Sequence, residues 1–232
     1  MIAAIVNAVA VAIGSCIGLF VKKGIPEKYT SAIMQAIGLC VMLIGIEGAI
    51  GSGNVLIMIV SMVLGTLVGM LLDLDGKVNA LGKLADKLVP QKEGQPSAAA
   101  GFVAASLLMC VGAMTIVGSI EAGLRGDGSL LYTKSIMDFI SSIFLTLSLG
   151  IGVLLSSVTI LVVQGGIVLL AVALAPFFTD PIISAMSTVG SVTILALGLN
   201  LIGVTKFKVA NFLPAIIIAP ILTILWSLVG LG

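Results

Sequence analysis

Long apolar runs alternate with short polar segments along the chain, and this pattern predicts an all-α protein that crosses a membrane repeatedly. Each run approaches the length of about 20 residues that a helix needs to span a bilayer. The predicted spans are residues 2–20, 31–50, 54–72, 99–121, 136–155, 158–177, 182–203 and 209–230. Asp138 is the only charge between Ser135 and Phe178, so length alone divides the fifth span from the sixth, and we expect the turn near Ser156 and Ser157.

The second and seventh spans resemble each other at a constant offset of 153 residues. SAIMQAIGLCVMLIGIEGAI begins at Ser31 and SAMSTVGSVTILALGLNLIG begins at Ser184. Because four other spans lie between them, the two spans run in opposite senses, which predicts inverted-topology repeats of spans one to three and six to eight. The expected organisation is a first repeat over 1–72, a linker over 73–98, a central helix pair over 99–155 and a second repeat over 156–232.

The linker differs from the spans in its pattern. Residues 73–89, DLDGKVNALGKLADKLV, place apolar side chains at helical spacing and charges on the other faces. This predicts an amphipathic helix on the inner leaflet, with a plain solvated tether as the alternative.

The basic residues predict the orientation of the chain. With the loop after the first span in the cytoplasm, nine of them lie inside and only Arg125 and Lys134 lie outside. The nine are Lys22, Lys23, Lys28, Lys77, Lys83, Lys87, Lys92, Lys206 and Lys208. Both termini then face outward.

The amino-acid composition excludes several classes of function. The chain is 59% hydrophobic and 9% charged, against about 25% charged in soluble domains, so its partner is the lipid bilayer. It has no histidine, its three cysteines lie in apolar runs as free thiols, and its net charge of +1 gives no reason to expect a nucleic-acid partner. The first run lacks a basic flank and a cleavage site, which indicates a retained helix. No nucleotide-binding or catalytic motif is present, so we expect neither an enzyme nor a cofactor.

Polar residues within the spans are the candidate site residues, because each must face protein or water. Asn7 and Gln164 are near mates under the inversion. Gln164 is followed by Gly165 and Gly166, which favours a helix interrupted at Gly165 that would bind a solute through its backbone; a plain interhelical hydrogen bond from Gln164 is the alternative. The other candidates for solute binding are Gln35, Thr188, Asn200, Ser106 and Met114. The last two share a stripe on the fourth span, where Gly112 could soften the helix, although core packing also explains the stripe.

Two acids are candidates for ion coupling. Asp138 lies four residues after Lys134, which favours an ion pair on one helical face. The alternative is a cation or proton site shared with Glu121 and Asp127. Glu47, near the outer end of its span, is the second candidate, and simple hydration explains it equally well.

Small residues recur at four-residue spacing, as in Gly14 with Gly18 and Ser61 with Gly65 and Gly69. Such stripes allow close helix packing in lipid. A structural role in helix packing is the preferred interpretation and ligand binding is the alternative. Either stripe could form a subunit interface, and we expect a homodimer.

The chain resembles the YqgA-like domain-of-unknown-function family of bacterial inner-membrane proteins over essentially its full length. The resemblance rests on VNAVAVAIGSCIGLFV, IMQAIGLCVMLIGI, ASLLMCVGAMTIVGSIEAGL, GDGSLLYTKSIMD, VVQGG, GLNLIG and KVANFLPA. Members often read CVGPM where this chain has Ala113, which leaves a proline-forced break at Gly112 in doubt. The resemblance implies a bacterial cytoplasmic membrane and no established activity.

Two functions fit these patterns. The first is a secondary transporter of a small polar solute or ion, working by alternating access between the inverted repeats. The second is a non-transporting membrane scaffold or partner-binding protein, suggested by the scarcity of buried charge. An ion channel is less well supported, because the sequence shows no pattern that predicts a ring of acids or a carbonyl-rich filter.

Overall fold

The computed structural model describes residues 1–22, 27–50, 54–80 and 97–228, which form helices and no strand. The helices are α1 (Ile2–Lys22), α2 (Glu27–Ile50), α3 (Val55–Leu71), α4 (Leu74–Ala80), α5 (Ala98–Cys110), α6 (Ala113–Leu124), α7 (Ser129–Leu149), α8 (Gly152–Leu169), α9 (Ala171–Leu174), α10 (Asp180–Leu201), a 3₁₀ turn (Val209–Phe212) and α11 (Leu213–Leu228). Six of these segments could each cross a membrane alone, and two bent pairs raise the number to eight. The predicted all-α polytopic fold is confirmed.

Close helix pairs organise the bundle: α1 with α7, α2 with α10, α3 with α11, and α5 with α8. Glycines lie at these crossings. A Cβ at Gly14 or Gly18 would collide with the backbone of α7, and one at Gly65 or Gly69 would collide with Ala215 or Asn211. Without a hydrophobic driving force in lipid, such close approach supplies the contact energy between helices. Both small-residue stripes therefore have the structural role that was predicted, and both pack within the chain.

The fifth and sixth spans are divided at a different place from the one predicted. The prediction of a turn at Ser156 and Ser157 is wrong, because α7 ends at Leu149 and α8 already begins at Gly152. Gly150 adopts φ 73° and ψ −152°, a region essentially restricted to glycine, and α7 ends there. The two serine hydroxyls donate to the carbonyls of Val153 and Leu154 within α8, which lets both serines remain helical.

The start of α7 also lies earlier than predicted, at Ser129 rather than residue 136. Asp127 Oδ1 accepts hydrogen bonds from the Ser129 backbone N–H and hydroxyl at 2.9 and 2.6 Å. These bonds lower the pKa of Asp127 below its ordinary value and tie the loop to the first turn. Because α7 begins at Ser129, Lys134 lies inside this helix and is buried, and not in the outer loop to which it was assigned above.

The interrupted helix is the fourth span and not the sixth. The prediction of a break at Gly165 is wrong: α8 continues through Gly165 and Gly166 to Leu169, and buried Gly165 packs beneath the Met1 side chain. The fourth span instead breaks between α5 and α6, which meet at an angle of 60°. Gly112 has φ 151° and ψ 152°, a region essentially restricted to glycine. Proline is thus not needed for this break.

The linker begins as predicted with a helix. α4 starts at Leu74 and bends 56° away from α3, and Val78 packs against the main core. The predicted helix over 73–89 can be followed only to Ala80, because its remainder lies outside the described residues.

Candidate functional site

A buried hydrogen-bonded network joins α1, α7 and α8. Asn7 Nδ2 donates to Asp138 Oδ2 at 3.0 Å and to Gln164 Oε1 at 3.1 Å. Lys134 Nζ donates to Asp138 Oδ1 at 2.9 Å. The Lys134–Asp138 pair is confirmed as predicted, and the two amides expected to be near mates are in direct contact.

Three of the four residues lie at one depth in the bundle, and Asp138 is one helical turn deeper on α7. Asn7 and Lys134 are each five residues from the start of their helices, and Gln164 is five residues from the end of α8. At 1.5 Å per residue this is about 8 Å from the helix ends. Asn7 and Gln164 are fully buried, and Lys134 and Asp138 are 8% and 6% exposed. Of the charged side chains that the structure describes, only these two are buried.

The network is not saturated. Asn7 Oδ1 and Gln164 Nε2 are shielded from solvent and have no hydrogen-bond partner within the described part of the chain. One is an acceptor and the other a donor, so a small molecule that both donates and accepts could satisfy them. An unsatisfied buried polar atom costs about 1–3 kcal/mol, which makes this position a candidate binding site.

An apolar cluster closes one side of the network. It consists of Ala3, Ala4, Ala122, Leu131 and Val168. Ala3 lies one turn before Asn7, Leu131 one turn before Lys134 and Val168 one turn after Gln164, so the cluster lies between the network and the nearer helix ends. Ala4 follows Ala3 on α1, and Ala122 comes from α6, the helix that follows the break.

The break is stabilised by a specific contact. The last α5 bond runs from the Val111 N–H to the Leu107 carbonyl, and α6 begins with bonds to the Gly112 carbonyl. The hydroxyl of Thr115, which is buried, donates to the Met109 carbonyl at 3.1 Å and replaces one bond that the break removes. Irregular backbone at membrane depth is tolerated where protein or a cavity surrounds it.

The other candidate residues lie elsewhere. Gln35 and Glu47 are exposed on α2, and Thr188 is buried in α10 with an unpartnered hydroxyl. Asn200 bonds to Phe207 and Thr205 in the loop after α10, beside a cavity of about 480 Å³.

The two candidates on the fourth span flank its break, one on either side. Ser106 lines a second cavity on the α5 side, and Met114 is half-buried in the first turn of α6.

The contact between Asn7 and Asp138 was not predicted from the sequence. Their helices are not mates under the inversion, and no periodicity links them. The signal that could have found it is the Gly14 and Gly18 stripe, because these glycines bring α1 against the helix that carries Asp138.

The comparison with known proteins identifies the family. Residues 2–224 match the family of proteins of unknown function DUF554. The chain belongs to the DUF554 family. This DUF554 member is 33% identical over 235 residues to the uncharacterized membrane protein YdfK of Bacillus subtilis (strain 168), covering 100% of this chain and 99% of the relative. It is 31% identical over 225 residues to the uncharacterized protein YqgA of Escherichia coli (strain K12), covering 96% of each. No solved structure matches the chain.

These relatives confirm the resemblance to a YqgA-like family. Together with the six to eight possible spans, they make this DUF554 chain a membrane protein. Neither relative's name states a substrate, so the functional argument rests on the geometry of the site.

Proposed function

We propose that the protein is a secondary transporter of a small polar solute or ion that works by alternating access. The observation that carries this proposal is the unsaturated network of Asn7, Lys134, Asp138 and Gln164. Removing two charges from water costs several kcal/mol per ion, and a buried ion pair often contributes little net stability. An intramembrane ionisable residue is therefore first interpreted as functional.

In this proposal Asp138 is the coupling acid, and the two unpartnered amide atoms bind the solute. A proton or cation at Asp138 would weaken its bond to Lys134 and change the charge of the site. Glu47 is less well placed for this role, because its side chain is exposed on α2 and the network lies among α1, α7 and α8.

The gate of the proposed transporter is α6. It supplies Ala122 to the apolar cluster that closes the network, and it joins α5 through a glycine break instead of a continuous helix. A hinge at Gly112 would let α6 move while α5 stays packed against α8. This movement would open the network toward the ends of α1, α7 and α8 that lie beyond the cluster.

Several contacts support an inverted repeat. Gly45 packs against Leu195 and Gly198 against Met42, and the 153-residue offset interchanges these two pairs. The helices α1 and α7 pack in parallel. Under the inversion they correspond to α8 and α5, which also pack in parallel. Inverted repeats are a recurring basis of alternating access, because rocking one half converts one state into the mirror image of the other.

Flux in proteoliposomes tests this function. Dissipation of a pH gradient would be followed with a trapped dye after addition of sodium, potassium or lithium chloride, and uptake of radiolabelled amino acids and sugars would be measured in parallel. We expect one member of this panel to give flux that Asp138→Asn abolishes and Glu47→Gln preserves. The double variant Lys134→Met with Asp138→Asn keeps the site neutral and should fold without transporting. Folded wild-type protein that moves nothing in the panel, or flux unchanged in the double variant, contradicts the proposal.

A non-transporting scaffold is the second candidate, favoured by one observation. The cavity at the α5–α6 break is lined almost entirely by apolar side chains, with Ser106 and Thr159 contributing its hydroxyl groups. A transporter of polar solutes would be expected to have a wetter path. Failure of the flux panel, together with a stable homodimer in nanodiscs, would favour the scaffold.

A further inference from the structure

A second cavity, of about 430 Å³, lies beside the helix break and is separate from the polar network. Its volume falls within the range of about 300–1,000 Å³ that is typical of small-molecule sites. Residues from α5, α6, α8, α10 and α11 line it, and none of the network residues does. A molecule bound in this cavity would therefore be distinct from one bound by the polar network.

The lining determines the polarity of that occupant. No lining side chain carries a charge, and most are aliphatic or aromatic, such as Phe102, Leu107, Ile116 and Ile216. A charged ligand would lose its hydration without gaining a counter-ion. The occupant must be uncharged and largely apolar.

The shape favours an extended molecule. Thr159, Val163 and Ile167 line the cavity and lie four residues apart on α8, which corresponds to about 12 Å of helix. Ile217, at the rim, is exposed on the surface of α11. A ligand could therefore enter sideways from the bilayer and lie along the helix axis.

The break adds hydrogen-bonding groups to this apolar surface. In a continuous helix the Gly112 N–H would bond to the Leu108 carbonyl, but α5 ends one residue earlier and this N–H has no backbone partner among the described residues. Gly112 lines the cavity, and a Cβ built on it would meet no atom within 4 Å. The buried Ser106 hydroxyl, also in the lining, has no hydrogen-bond partner in the described part of the chain. Both groups can donate to an acceptor.

We propose that this cavity binds a neutral, extended apolar molecule with one hydrogen-bond acceptor, such as an ester or ketone, whose oxygen accepts from the Gly112 N–H or the Ser106 hydroxyl. This site shares no residue with the polar network, so its test does not depend on transport, although Gly112 is also the hinge of the proposed gate. Surrounding phospholipid, whose acyl chains lack an acceptor at this depth, is the competing occupant.

Binding of tritiated methyl octanoate to the protein in nanodiscs tests the site. We expect saturable binding that Val163→Phe weakens at least tenfold, because the ring fills the cavity. Val162→Phe is the matched control and should bind like wild type, since Val162 is 66% exposed on the other face of α8. If Val163→Phe does not fold, Thr159→Phe replaces it, with exposed Val158→Phe as its control.

Competition identifies the chemistry. Unlabelled methyl octanoate should displace the probe, and decane, which lacks an acceptor, and octanoate, which is charged, should each need at least tenfold more. Equal displacement by decane would overturn the role of the break as a donor. Absence of saturable binding, equal binding by both phenylalanine variants, or loss of binding as the phospholipid-to-protein ratio rises would overturn the site.

Discussion

At the scale of single residues, the buried Lys134–Asp138 pair governs how the network responds to substitution. Lys134→Met alone leaves Asp138 as an unpaired buried charge, and Asp138→Asn alone does the same to Lys134. Breaking a buried pair typically costs about 3–5 kcal/mol, and replacing both partners is often nearly neutral. We therefore expect each single variant to lower the free energy of unfolding in detergent by that amount and the double variant to recover most of it.

A control separates this effect from the loss of any buried polar group. Ser61 is fully buried and its hydroxyl has no partner among the described residues, so Ser61→Ala should not lower the free energy of unfolding and could raise it by about 1–3 kcal/mol. If the cost of the double variant instead equals the sum of the two single costs, the two side chains are not coupled and Asp138 does not depend on Lys134 for its stability.

The sequence predicted part of this site. The pair at i and i+4 follows from helical spacing alone, whereas the proposed repeat made Asn7 and Gln164 near mates without predicting that they are in contact. The bond from Asn7 to Asp138 could not be predicted, because it depends on which helix packs beside α1. Which helix packs beside α1 is determined by the close fit of Gly14 and Gly18 against α7. This fit depends on the surfaces of both helices, so the sequence pattern of one helix does not reveal it.

At the scale of helices, hydropathy found the spans but misplaced their breaks. Apolar runs long enough to cross a bilayer predicted the six to eight candidate spans found among the described residues. The breaks at Gly112 and Gly150 depend on backbone conformations that only glycine adopts easily, and hydropathy does not register them. Gly165 and Gly166 have the same backbone freedom, yet they remain helical. Among the described residues, no side chain there replaces a backbone hydrogen bond of the helix as the Thr115 hydroxyl does at the break.

The contrast between these glycines gives a prediction for the break. Gly112→Ala places a side chain at φ 151°, and such strain costs on the order of 1–3 kcal/mol. We expect a lower thermal midpoint and, if α6 is the gate, slower flux. Gly166→Ala is the matched control: it lies within α8 with no atom within 4 Å of an added Cβ, and alanine favours a helix by about 1 kcal/mol. Equal thermal midpoints for the two variants would mean that the break carries no backbone strain.

At the scale of the whole molecule, the turns at one end of the bundle are tied together. The backbone N–H of Asp75, after α3, donates to Asn211 Oδ1, before α11, at 3.0 Å. Lys206 and Lys208 line a cavity with Asp75 at this end. The loops after α3 and after α10 therefore share one side, as the predicted topology requires.

Because Lys134 is buried, the basic residues are divided even more unevenly between the two predicted sides of the membrane. With this lysine inside the bundle, the 11 basic residues divide into nine on the predicted inner side, Arg125 alone on the outer side, and Lys134 in neither. Such a bias in short loops sets the orientation of membrane proteins. We expect the end that carries Lys206 to face the cytoplasm.

Labelling of single cysteines in intact bacterial cells checks this orientation. In a variant with Cys16, Cys40 and Cys110 replaced by alanine, an impermeant maleimide should label Arg125→Cys directly and Lys206→Cys only after the membrane is opened. Asp180→Cys, at the exposed start of α10, should behave like Arg125→Cys because α10 runs from the outer side to the inner side. Labelling of Asp180→Cys and Lys206→Cys from the same side would mean that α10 does not cross the membrane. The second and seventh spans could then no longer be inverted copies, and alternating access would lose its structural basis.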